Sequence, residues 1–217
     1  MKLGLIADIH ADAKGLALAL DHLDALGAEA VLCAGDLVDY GFWPDEAIGL
    51  IRACGIPCVR GNHDRKFLAR KKFKARHTHP DALTPENLAY LGALPFSHVA
   101  RYDGLSVALV HASPTDDEAL IHPRFCPERC MADMLEAADA DVLVTGHMHL
   151  PIHFETDAGV VVNPGSIFVH HGTNRRSSRT FGLLDTATMA YNVFDVVTGA
   201  AHERTTWPWW KNLRLLP

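Results

Sequence analysis

Short apolar runs alternate along the chain with segments of helical spacing. LGLIA (3–7), AVLCA (30–34), IPCV (56–59), LSVALV (105–110), ADVLVT (140–145) and GVVV (159–162) are too short for helices and read as buried strands. Between them, Leu16, Leu20 and Leu23 recur at helical spacing over 14–26, with Asp12 placed to cap and Gly27 to stop the helix. A second helix is predicted over 44–54, with Pro at its start and Gly55 after its end. A third is predicted over 84–94, with Thr84 as cap, Pro85 at the first position and Glu86 nearby. The stretch 181–197 alternates instead and predicts an antiparallel hairpin. Apolar strands interleaved with helices give an α/β layered core, in which ligands bind beyond the carboxyl ends of the strands. No repeat, low-complexity tract or linker divides the chain, so 1–217 is expected to be a single domain.

Composition adds bounds to this picture. Of 217 residues, 48% are hydrophobic, enough for a sizeable core. No apolar run approaches the ~18 residues of a membrane span, and none is expected. MKLGLIADIH reaches Asp8 and His10 too soon for a signal peptide, which points to a first strand and a cytoplasmic location. Five cysteines, an odd number without CxxC, read as reduced, partly buried thiols; Cys54/Cys58 and Cys126/Cys130 are each four apart. A net charge of −6 argues against a general nucleic-acid coat protein, yet residues 65–76 hold seven of the twenty Lys and Arg. That stretch lacks a coherent apolar stripe and is not expected to be an ordinary packed helix. It is open to two readings. One is a solvated insert. The other is a cationic flap over about 65–80 that attracts an anionic substrate, a nucleotide or nucleic acid, with Phe67 or Phe73 stacking on a base.

Fourteen histidines exceed what the core needs, and many are placed rather than scattered. LGLIA leads into Asp8-Ile9-His10, and AVLCA into Gly35-Asp36 and then Asp39. IPCV leads into Gly61-Asn62-His63-Asp64, LSVALV into His111, and DVLVT into Gly146-His147-Met148-His149. GVVV leads into Asn163-Pro164-Gly165-Ser166. Any one block has an ordinary reading as a turn, a helix cap or a solvated pair. Together they are expected to meet on one sheet edge, if the strands are parallel neighbours. Mixed Asp, His and Asn donors suit Mn, Fe, Zn or Co. The donors outnumber the needs of one ion, so a pair of divalent metals ~3.5–4 Å apart with a bridging carboxylate is expected.

The ordered blocks DIH, GDLVD, GNHD, the His of VHASP and GHMH resemble those of the calcineurin-like metallophosphoesterases, and NPGS (163–166) resembles small bacterial members. The resemblance implies a four-layer α-β-β-α sandwich with two mixed sheets. It implies Asp8, His10 and His149 at one metal, Asn62, His111 and His147 at a second, and Asp36 bridging them. It makes His63 the proton donor to the leaving oxygen and Asp39 its orienting partner. The implied reaction is attack of a metal-held hydroxide on a phosphoester, with manganese foremost among the metals. For Asp64 the favoured reading is a cap on the following helix.

The pattern also departs from some relatives. GDLVDYG carries Tyr40 where protein serine/threonine phosphatases have Arg, and Asp64 stands where they have Glu. Both differences resemble the small bacterial phosphodiesterases and the diadenosine-tetraphosphatase-like group. A nucleotide-like phosphodiester is therefore the expected substrate, with a phosphomonoester or dinucleoside polyphosphate as alternative. A protein-binding scaffold on the same fold is the alternative of another class, and it would typically have lost ligands that are present here. In the loop 167–179, His170, His171, Arg175, Arg176 and Arg179 either contact phosphate or decorate a surface. His22, His98 and His202 read as structural or solvated, while His122 and His153 match no motif position. The apolar tail 204–217, with three Trp, docks on its own chain or makes a homodimer contact.

Overall fold

Caps and prolines start the helices where local chemistry dictates. The structure is a computed structural model that describes residues 1–69, 83–121, 126, 128–169 and 179–202. Helix α1 (Ala13–Ala25) begins after Asp12, whose carboxylate accepts the Gly15 N–H at 2.9 Å. Helix α2 (Pro44–Ala53) has Pro at its first position and Asp45 and Glu46 in its first turn. Helix α3 spans Asn62–Ala69, and α4 (Pro85–Ala93) is capped by Thr84 Oγ1, which accepts from the Asn87 N–H. Helix α5 spans Glu128–Ala138.

The strands are β1 (Lys2–Ile6), β2 (Ala30–Cys33), β3 (Ser97–Tyr102), β4 (Leu105–Val110), β5 (Val142–Val144), β6 (Pro151–Thr156), β7 (Gly159–Pro164), β8 (Thr180–Asp185) and β9 (Tyr191–Asp195). They form two mixed sheets, ordered β2-β1-β8-β9 and β3-β4-β5-β7-β6. In the first, β1 and β2 are parallel; in the second, β4, β5 and β7 are.

The apolar runs explain the layering. In β4, Val107 and Leu109 face the other sheet while Ala108 and Val110 face α5. In β5, Val142 and Val144 face inward and Leu143 faces α5; in β7, Val160 and Val162 face inward and Val161 outward. A continuous apolar run is what a strand buried on both faces requires. Leu3 and Leu5 of β1 meet this central layer, and Ile6 turns to the layer under α1 and α2. The result is the expected four-layer α-β-β-α sandwich.

Four expectations are corrected. IPCV makes only an isolated parallel bridge between Cys33 and Cys58, because Pro57 has no N–H to give a ladder. The motif-bearing strands do not share one sheet edge; they belong to two sheets, and side chains that follow strands of both meet in one cluster. The start of the basic stretch is helical: Arg65–Ala69 continue α3, with Phe67 buried. Cys126 and Cys130 form a disulfide rather than reduced thiols, while Cys33, Cys54 and Cys58 are free. Strands β3 and β6 and helix α5 were absent from the sequence expectation. The remainder of the proposed flap (70–80) and the tail from 203 onward lie outside the described residues. Among the described residues no helix is long and apolar enough to cross a membrane.

Candidate metal centre

Each strand leaves its sheet by bending sharply into the site. Among the described residues, eleven non-glycine positions have positive φ, and eight lie in the motif loops: Asp8 (52°), His10 (46°), Ala11 (59°), Asp36 (57°), Asp39 (77°), Tyr40 (64°), His147 (65°) and His149 (53°). Such conformations cost roughly 1–3 kcal/mol each and persist where surrounding structure enforces them. Here backbone bonds zip the first two loops together: Asp8 N–H to Gly35 O (3.0 Å), His10 N–H to Asp36 O (2.8 Å) and Ala11 N–H to Leu37 O (2.8 Å). Gly61 is required at its position, since a Cβ there would lie 2.1 Å from Asp36 Oδ1.

The loops bring together two sets of donor atoms. Asp8, His10 and His149 form one, with the two Nε2 atoms 3.1 Å apart and His149 Nε2 3.4 Å from Asp8 Oδ1. Asp8, Asp36 and His111 form the other, with Asp36 Oδ2 3.3 Å from His111 Nε2. Asn62 Oδ1 joins the second set, 3.0 Å from His111 Nε2 and 3.2 Å from Asp36 Oδ2. Asp36 Oδ2 is also 3.7 Å from His10 Nε2, so this oxygen stands between the sets. His147 stands slightly back: its N–H donates to Asp8 Oδ1 at 3.2 Å, and its ring packs edge-on against His111 at 5.3 Å.

The donor chemistry fits divalent cations. Asp8 Oδ2 is buried with no hydrogen-bond partner among the described residues, a costly state for a carboxylate oxygen. Asn62 Oδ1 faces acceptors; turned over, the amide would donate to both and give its oxygen to Lys66 Nζ, 3.1 Å away. His10 and His111 donate Nδ1–H to the Val38 and Ala34 carbonyls (3.1 and 2.7 Å), which turns each Nε2 toward the centre.

Electrostatics point the same way. Burial disfavours a charged His111, yet the Asp36 and Asp8 carboxylates outweigh it and push the ring up to about 10. Burial alone would raise Asp36, but His111 and His10 hold it well below the usual carboxylate range. Asp8 is likewise lowered, by His149 and His111 against burial. His10 is pulled down to about 4, burial dominating over Asp36 and Asp8. The carboxylate field thus draws positive charge into a buried place.

Beside the centre stand His63 and Asp39. His63 Nδ1 is 2.9 Å from Asp39 Oδ2, and its backbone N–H donates to Asp36 Oδ1 at 2.8 Å. The Tyr40 hydroxyl is 3.4 Å from His63 Nε2. Asp64 is not the cap ahead of α3 that the sequence suggests: it lies inside the first turn of the helix, and its carboxylate accepts the Gly61 N–H (2.9 Å). The same carboxylate accepts the N–H groups of Asp36, Leu37 and Val38, which fixes the loop that carries Asp36.

Ser166 of the NPGS block supports the site from behind: its Oγ donates to the Asp8 carbonyl (3.0 Å). One other residue escaped the sequence reading. Phe168 packs against His10 with ring centroids 5.9 Å apart. Arg179, one of the offered phosphate contacts, is turned elsewhere: it pairs with Asp12 at 2.6 Å and donates to the Ile167 carbonyl. His22 stacks on Phe181, and His153 lies 3.4 Å from Glu155 and packs on Tyr191. His122, His170, His171, Arg175 and Arg176 lie outside the described residues.

An α-β-β-α sandwich with carboxylate, imidazole and carboxamide donors converging from two sheets defines a metal-dependent hydrolase architecture. The chain belongs to the calcineurin-like phosphoesterase superfamily, whose domain profile matches residues 1–189. Members of this family generally bind divalent metals. A probable metallophosphoesterase of Methanothermobacter thermautotrophicus is 28% identical over 167 residues, covering 76% of this chain and 77% of its own. A hypothetical protein of Pyrococcus horikoshii shares the fold with TM-score 0.76 at 22% identity, covering 89% and 87% of the two chains. An archaeal phosphodiesterase shares it with TM-score 0.56 at 18% identity (90% and 99%), and Vps29 of Entamoeba histolytica with TM-score 0.60 at 19% (93% and 96%).

Proposed function

We propose that the chain is a two-metal phosphodiesterase acting on nucleotide-like substrates. The observation that carries this reading is the His63–Asp39 pair, 2.9 Å apart, set beside the buried donor sets. Asp8, His10 and His149 would hold one divalent ion, and Asn62, His111 and His147 a second, with Asp36 shared; manganese is the first choice, before Fe, Zn and Co. When bound, such ions lower the pKa of water and neutralise charge on phosphoryl oxygens. His63 then gives its Nε2 proton to the departing ester oxygen. Asp39, accepting from Nδ1–H, fixes the ring orientation and stabilises its charged form. Tyr40 in place of the phosphatase Arg favours diesters over protein phosphomonoesters. The archaeal phosphodiesterase with this fold supports the same choice.

The test compares bis-p-nitrophenyl phosphate with p-nitrophenyl phosphate on manganese-loaded protein, with His63→Ala alongside. A faster diester rate, falling about 10²–10⁴-fold in the variant, is expected. A faster monoester rate would replace this reading with a phosphomonoesterase. No rate on either, with manganese measurably bound, would favour a binding scaffold, the reading suggested by the likeness to Vps29.

A further inference from the structure

The centre is walled on one side by the aromatic side chains of Tyr40 and Phe168. The Tyr40 ring lies 4.8 Å from the His10 ring and 4.8 Å from the His63 ring. Phe168 lies nearly parallel to Tyr40, 15° between planes and 6.1 Å between centroids, and also touches His10. Tyr40 remains 39% exposed.

The backbone presents this ring at a cost. Tyr40 sits at φ +64°, where Gly or Asn is the sterically cheap choice. The next residue locks the turn: Gly41 N–H bonds the His10 and Asp39 carbonyls (2.9 and 2.8 Å), and a Cβ on Gly41 would lie 2.3 Å from His10 O. An aromatic side chain is thus held at a strained position directly against the acid. The hydroxyl end of the ring is 3.4 Å from His63 Nε2, the atom from which the leaving oxygen takes its proton in the reading above. Whatever departs from phosphorus on that side departs across Tyr40 and Phe168.

We propose that Tyr40 and Phe168 form the seat of the leaving group, and that the group they select is a nucleoside whose planar base extends the Tyr40–Phe168 stack. This rests on the phosphoesterase reading of the centre and adds the side and the chemistry of the leaving group. Base-on-aromatic stacking is sequence-tolerant, so a preference for nucleosides over bare sugars is expected, with little discrimination among bases.

Calorimetric titration of the manganese-loaded full chain tests this without turnover. The ligands are inorganic phosphate and the non-hydrolysable phosphonate isosteres of adenosine 5′-monophosphate, ribose 5-phosphate and phenyl phosphate. The adenosine compound is expected to bind about tenfold more tightly than the ribose compound. That ratio should fall to about twofold or less in Tyr40→Asn, since Asn tolerates left-handed backbone. Phe168→Ala, which leaves the strained turn untouched, should lower it as well. Equal affinities of the adenosine and ribose compounds in the unaltered protein would overturn the proposal, as would an advantage that survives both substitutions. A phenyl compound binding as tightly as the adenosine one would replace the nucleoside with a simple aryl group. Failure of inorganic phosphate to bind would instead remove the phosphoesterase reading on which the seat depends.

Discussion

Asp36 and Asp64 show how one carboxylate is kept available by another. Asp36 Oδ2 faces His10, His111 and Asn62, while its Oδ1 accepts the His63 N–H. Its left-handed backbone is held from behind by Asp64, which takes the N–H groups of Asp36, Leu37 and Val38. Asp64→Asn would present an amide N–H₂ to some of those donors. A stability loss of about 1–3 kcal/mol is expected, the cost of buried backbone N–H groups left unpaired. Weakened manganese binding should accompany it, because the Asp36 loop would relax. Denaturant melts of the metal-free variant measure the first effect, and calorimetry the second; unchanged stability would refute the clamp. Asp39 touches His63 and is a member of none of the donor sets named above. In the proposed reaction Asp39→Asn should lower kcat by about ten- to a hundredfold, less than loss of the acid itself, with metal affinity retained. Loss of manganese binding in that variant would mean instead that Asp39 supports the centre's structure.

Helix α3 carries both Asn62 and His63, so its seating governs two functional groups. Phe67 anchors it in the core, and Arg65 makes a two-pronged pair with Asp117 (2.7 and 2.9 Å) in the loop after His111. Arg65 and Lys66 also reach Glu118. The Arg65 hydrogen bonds hold the Asp117 carboxyl below its ordinary value, with further pull from the charges of Arg65, His111 and Arg60. A depressed folded-state pKa stabilises above the unfolded value, near 3.9, and the benefit is lost as pH falls through the folded one. Asp117→Asn should therefore cost about 1–2 kcal/mol at pH 7, and the gap from the unaltered protein should narrow as pH falls through the folded-state value. A gap independent of pH would mean that packing, not charge, is what the carboxylate supplies.

The helices that were legible in sequence are those with chemical punctuation: Asp12, Pro44, and Thr84 with Pro85 mark starts that fall within a residue or two. Helix α5 carries its apolar side on Met131, Met134 and Leu135 at the right spacing, and Pro127 before Glu128 is a start signal like Pro44 and Pro85, yet the helix was not expected. Strand β3 was hidden for another reason. Burial does alternate along it, with Ser97, Val99 and Arg101 exposed and His98, Ala100 and Tyr102 half-buried, but apolar Val99 lies on the exposed face, so the polarity of the residues does not display the alternation. Conversely, IPCV has strand-like composition but is too short and proline-broken to join a ladder.

At the scale of the whole molecule the candidate centre lies on a seam. Asp8, His10 and Asp36 follow β1 and β2 in one sheet, and His111, His147 and His149 follow β4 and β5 in the other. Residue types at strand ends made these side chains legible one by one. That two sheets supply them was not legible from strand order, because the sheet boundary depends on pairings between β1 and β8, far apart in sequence. The sheets are joined by the shared apolar layer, by Tyr191 Oη bonding the Asn163 carbonyl (2.9 Å), and at the far edge by Thr186 bonding Asp103 (2.6 Å). At the near edge, like-charged carboxylates and close imidazoles from the two sheets oppose one another. Ions held there would tie the two sheets and make metal binding part of folding stability. Saturation at a hundred times Kd stabilises by about 2.7 kcal/mol for one site, which for a domain of this size is about 5–10 °C in Tm. Chelation of the manganese-loaded protein should lower Tm by that amount or more. Asp36→Asn, which weakens both donor sets, should melt near the chelated value and respond little to manganese. A Tm indifferent to chelation would place the sheet-to-sheet stability in the apolar layer alone, and the ions, if bound, on a scaffold that stands without them.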